Sequence, residues 1–109
     1  MNEFKGTPGP WKIMSDSPEG FEIESEHESS FWAFVSYDTP EAERMANAQL
    51  IAAAPELLSD LKEAAQLLRN YEKLHRRKGT IDGFVKADRN RAWAEQFEAT
   101  IAKALGEKS

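Results

Sequence analysis

The 109-residue sequence contains no cysteine, which excludes disulfides, thiolate nucleophiles and thiolate metal sites. Its two histidines, His27 and His75, are far apart and have no HExxH-like spacing. A Gly-rich phosphate loop and a serine nucleophile elbow are also missing, since GTPGP is a proline turn and not a phosphate cradle. These absences argue against an enzyme, and neither a metal nor a cofactor is expected. No apolar run approaches the roughly 18 residues that a membrane span needs. The start, MNEFKGTPGPW, has neither the basic residues nor the apolar stretch of a signal peptide, so a cytoplasmic protein without a membrane partner is expected.

What is present points to a folded chain. Hydrophobic residues make up 40%, and three Trp and six Phe supply the apolar area needed to offset chain entropy. The length suits one domain over 1–109, divided into a β-meander (1–38) and a helical part (39–109). The net charge of −5 is unevenly spread: residues 1–68 hold 4 Lys/Arg against 13 Asp/Glu, whereas 69–109 hold 10 against 6. Duplex nucleic acid is a poor partner for such a surface, which lacks an extended basic footprint.

Three segments have strand character, WKIM (11–14), FEIESEH (21–27) and FWAFVSY (31–37), separated by turn signals at hairpin-like lengths. Alternation along the second puts Phe21, Ile23, Ser25 and His27 on one face and Glu22, Glu24, Glu26 and Glu28 on the other. The helical part opens at DTPEAE, where Thr39 can cap, Pro40 suits the first helical position, and Glu41 and Glu43 favour the positive end of the helix dipole. Ala42, Met45, Ala46, Leu50 and Ala53 follow at helical spacing. Pro55 lacks the N–H that a continuing helix requires, so the run ANAQLIAAAPELL reads as a corner between one helix over 40–54 and a second over 55–77. In that second helix Leu57, Leu61, Ala64, Leu68, Tyr71 and His75 recur at coiled-coil spacing. A turn at KGTIDG leads to a third helix over 84–105, with Val85, Trp93, Phe97, Ile101 and Leu105 on one face and Gly106 as its stop. The expected class is α+β: a three-stranded antiparallel β-meander packed on three helices, the last two a long antiparallel helical hairpin.

Two motifs, TPGPW at Thr7 to Trp11 and NAQLIAAAPELL at Asn47 to Leu58, resemble the hallmarks of a widespread group of small proteins encoded by tailed phages and prophages. That likeness covers about the first 65 residues, with only an IAKALG ending matching beyond them. The resemblance implies a phage accessory gene and assigns no site residue.

Three surfaces are candidates for function. Around the hairpin tip, Arg76, Arg77, Lys78, Lys86, Arg89 and Arg91 could take an anionic nucleotide or RNA, with Tyr71 and His75 as stacking groups; solvated cations complementing a helix end are the alternative. The acidic row Glu22, Glu24, Glu26 and Glu28, with Trp32 as an aromatic anchor, could bind a protein, steering onto a groove built for phosphates; the solvated face of a sheet is the alternative. Leu57, Leu61, Leu68 and Tyr71 form a stripe wider than one partner helix covers, so a homo-oligomer, most simply a dimer, is expected through them. The favoured function is a phage-encoded, non-enzymatic binding protein acting in the host cytoplasm, which antagonises a host factor such as an anti-phage defence component by protein–protein contact. The alternatives are sequestration of a small anionic nucleotide by the basic tip, and a structural or replication accessory role in the phage.

Overall fold

The computed structural model describes residues 3–17, 20–26, 32–36 and 40–107, and within them the side chains of all but 15–17, 32, 34 and 36. The chain is α+β, and it forms two compact units, one of Lys5–Leu57 and one built from Leu58 onward together with the first residues up to Phe4.

In the first unit, strands β1 (Trp11–Ser17), β2 (Gly20–Ser25) and β3 (Trp32–Ser36) form an antiparallel sheet in the order β1-β2-β3. Register pairs Ile13 with Ile23 and Ile23 with Ala33, so one cross-strand row of apolar residues faces the core. The ladder slips between Ile13 and Ser15, and Met14, at this bulge, is half-exposed. Helix α1 (Glu41–Arg77) begins here, with the Pro40 carbonyl accepting its first bond from Arg44 N, which leaves Pro40 one position ahead of the helix. Ile23, Val35 and Ala48 are buried together, with Trp11, Ile13, Phe21, Ala33, Ile51 and Ala52 packed around them. The inward face of early α1 is therefore Ala48, Ile51 and Ala52, and the expected face through Met45 and Leu50 is exposed. The Thr39 cap lies outside the described residues.

The TPGPW segment is fastened to this sheet by its own backbone carbonyls. Trp11 Nε1 donates to the Thr7 carbonyl at 3.1 Å, Ser25 Oγ to that of Pro8 at 2.9 Å, and Glu26 N to that of Pro10 at 3.0 Å. Between them Gly9, joined to Pro10 by a cis peptide, lies against Pro55: a Cβ at position 9 would fall 2.6 Å from Pro55 Cβ and 2.9 Å from Cγ.

That contact accompanies a correction. Pro55 lies inside α1, a single helix of 37 residues, and does not begin a new one. The described chain has two helices where three were expected. A mid-helix proline forfeits the bond to the carbonyl four residues back and crowds it, at a cost of about 3 kcal/mol. Helix on both sides keeps the remaining ladder intact, and the half-buried ring gains contact with the bare Cα of Gly9.

The second unit is a helical hairpin made from α1 beyond Leu57 and α2 (Ile81–Ala104). Lys78 N and Gly79 N close the turn on the carbonyls of His75 and Arg76, and Gly79, at φ +65°, takes the left-handed conformation that a side chain resists. Thr80 caps α2, its Oγ1 accepting from Gly83 N at 2.9 Å. Gly106 (φ +76°) ends α2, as the sequence pattern predicts. The buried seam of α2 is Gly83, Ala87, Ala94 and Ile101; of the row of large residues expected, Ile101 is buried, Phe97 and Leu105 are half-buried, and Val85 and Trp93 are half-exposed. Small residues prevail because the helix backbones approach closely: a Cβ on Gly83 would fall 2.6 Å from the His75 carbonyl oxygen. Neither described helix is long and apolar enough to cross a membrane.

Candidate functional site

With Arg69 and Lys73 the sequence places eight cations around the hairpin tip, and the fold provides four of them with carboxylates. Arg69, one turn into the hairpin from Ala65, makes a two-pronged contact with Glu98 across the helices, Nε to Oε2 at 3.1 Å and Nη2 to Oε1 at 2.7 Å. Its third nitrogen, Nη1, reaches Glu72 at 3.0 Å. Glu72 also accepts from Arg76, whose Nη2 continues to Asp88 of α2 at 3.0 Å. Arg91 lies 3.5 Å from Asp88 and 3.8 Å from Glu95, and Lys86 pairs with Asp82 at 3.1 Å.

These contacts shift the groups that make them. Hydrogen bonding to Arg69 holds the Glu98 carboxyl below the usual range, outweighing partial burial. At Glu72 burial pushes the carboxyl up, but hydrogen bonds from Arg69 and Arg76 together bring it below the usual value. The Arg69 guanidinium is held more firmly protonated, chiefly by Glu98 and then by Glu72. Arg76 is likewise raised, by Glu72 and then Asp88.

Of the six tip candidates, Arg76, Lys86 and Arg91 are thus engaged within the chain, and Arg77, Lys78 and Arg89 have no ion pair among the described residues. The stacking groups are separated too: Tyr71 is half-exposed, whereas His75 Nδ1 is buried without a hydrogen-bond partner. Two of these contacts, Arg69 with Glu98 and Arg76 with Asp88, tie the two helices together.

The sheet contrasts with this. Glu22 and Glu24 alternate with buried Ile23 on β2, so they occupy the face away from the core, and Glu26 follows just beyond the strand. In register, Glu24 lies between Lys12 of β1 and Trp32 of β3. None of Glu22, Glu24 and Glu26 has an ion pair among the described residues. Glu28 and the Trp32 side chain lie outside what is described.

Of the stripe assigned to self-association, Leu57 and Tyr71 are exposed and Leu61 and Leu68 are half-buried, within about 60° of buried Ala65 around the helix. Other apolar residues are exposed as well: Leu67 and Leu74 on α1, and Ile81, 85% exposed, with Phe84 on α2.

A sheet capped by an early helix segment, followed by a helical hairpin with a charged strut, defines a small α+β protein. The chain belongs to the family of Salmonella phage P22 protein Y8K6, whose sequence model matches residues 1–108. No curated protein and no solved structure matches it.

Proposed function

We propose that this phage protein is a non-enzymatic binding protein that antagonises a host factor, such as a component of anti-phage defence, by protein–protein contact through the outer face of its sheet. The observation that carries this reading is the contrast in charge compensation. The carboxylates of Glu22, Glu24 and Glu26 make no ion pair among the described residues, while half of the candidate tip cations do. Carboxylates at strand spacing on the outer face of a sheet form a negative field that steers a basic surface into register, and a host protein with a phosphate-binding groove carries such a surface. An anionic nucleotide, by contrast, would have to compete with Glu72, Asp88, Asp82 and Glu95 for the arginines and lysine they already hold.

The test is affinity capture from host lysate, with bound material analysed for both proteins and nucleotides. Wild type and Arg77→Glu/Arg89→Glu should retain the same host protein, and Glu22→Lys/Glu24→Lys/Glu26→Lys should lose it. Loss in the arginine variant with retention in the acidic-face variant, or a nucleotide as the bound species, would overturn the reading in favour of ligand sequestration. Capture of phage structural or replication components alone would point to an accessory role.

A further inference from the structure

The outer face of α1 in the hairpin has a pattern that the inner seam does not explain. Asp60, Ala64, Leu67, Tyr71, Leu74 and Lys78 recur at intervals of 4, 3, 4, 3 and 4, the spacing of a coiled-coil seam. At about 100° per residue, Leu67 and Leu74 lie roughly 160–180° around the helix from Ala65, which is buried on the side carrying the cross-helix ion pairs. Leu67, Tyr71 and Leu74 are each at least half exposed. The row has an acid at its start, a base at its end just past the helix, and apolar residues between. Neither Asp60 nor Lys78 has an ion pair among the described residues.

We infer that this row is the seam of a two-fold homodimer in which the α1 helices of two copies pack antiparallel, crossing near residue 69. The occupant is a second copy because the row is complementary to its own reverse. Turned end for end about that point, Asp60 meets Lys78, small Ala64 meets Leu74, and Leu67 meets Tyr71, each pair occurring twice by symmetry. A parallel pairing would set Asp60 on Asp60 and Lys78 on Lys78. The antiparallel arrangement therefore satisfies both otherwise unpaired charges and sets apolar side chains against one another along the seam. The inference is independent of the sheet-face reading, since it uses none of the residues of β1 to β3.

Light scattering and sedimentation on the full chain, up to about 100 μM, test it. Wild type should show about twice the 12.3 kDa chain mass. Leu67→Glu/Leu74→Glu should be monomeric, with unchanged helical circular dichroism because both side chains are exposed in the single chain. Asp60→Lys alone should raise the dimer Kd about tenfold or more at low salt, since two attractions become two repulsions, and Asp60→Lys/Lys78→Glu should restore it. A monomer at every concentration overturns the inference, as does a dimer that survives Leu67→Glu/Leu74→Glu. A dimer weakened equally by the single and the double exchange refutes the antiparallel register. If Leu67→Glu/Leu74→Glu instead abolishes capture of a host protein while the wild type is monomeric, the face belongs to that partner.

Discussion

Replacing Gly9 with alanine sets two well-understood effects against each other, and the structure decides which wins. Gly9 has no left-handed φ, so an added methyl should reduce the freedom of the unfolded chain and stabilise the fold by about 0.4–1 kcal/mol. In the folded chain, however, that methyl would sit 2.6 Å from Pro55 Cβ and 2.9 Å from its Cγ, well inside van der Waals contact. Neither neighbour can yield easily, because the Pro55 ring is closed on its own backbone in mid-helix and the Gly9 segment is held by the bonds to the Thr7, Pro8 and Pro10 carbonyls. Overpacking of this kind costs about 1–3 kcal/mol. The net effect should be a loss of about 1–2 kcal/mol, a fall in melting temperature of roughly 5–10 °C for a chain of this size. Thermal unfolding followed by circular dichroism measures it. Repeated in a Pro55→Ala background, where the Cγ contact is gone, the penalty should shrink, whereas positions that do not touch would give additive changes. A rise in melting temperature for Gly9→Ala would refute the packing of the turn against the helix.

Other consequences can be measured in parallel. Gly83→Ala should destabilise the hairpin by at least about 1 kcal/mol, since its methyl would meet the backbone oxygen of His75, and denaturant titration would show a lower midpoint with an unchanged slope. Glu98 is held below its unfolded value, so its contribution is present above the ordinary carboxylate range and is lost as the pH falls through the folded pKa. Wild type should therefore exceed Glu98→Gln in stability at pH 7 by about 1 kcal/mol or less, with the gap closing on acidification towards pH 3, as melting curves across that range would reveal. Among the surface variants, reversal of Glu22, Glu24 and Glu26 should abolish host-protein capture without lowering the melting temperature by more than a few degrees.

The α+β class, the charged helix starts, the Gly106 stop and the helical hairpin were legible in local patterns, because each depends on neighbours within a turn or two. Pro55 was not. Proline followed by Glu and Leu reads the same at a helix start and in a helix middle, and here it meets Gly9, forty-six positions earlier in the chain. The α2 seam was legible only at Ile101, because large residues were taken as the core signal, whereas a close approach of backbones selects Gly83, Ala87 and Ala94. The pairing of part of the basic tip was not readable for a similar reason. Its neutralisation runs from Arg69 to Glu98 and from Arg76 to Asp88, separations that no helical period reveals. The β2 alternation and the phage resemblance required only adjacent residues and short motifs, and both were readable.

The meeting of Gly9 with Pro55 bears on how such a gene can be rearranged. The two hallmark motifs are the two halves of one contact, so a recombinant that joins the start of one phage gene to the middle of another inherits a mismatched fit unless both donors carry the same pair. Crossovers between codons 12 and 54 separate the halves, and crossovers beyond codon 57, where the first unit ends, leave them together. The segment from Lys5 to Leu57 is thus the natural cassette of exchange, with the hairpin beyond it free to diversify under its own selection.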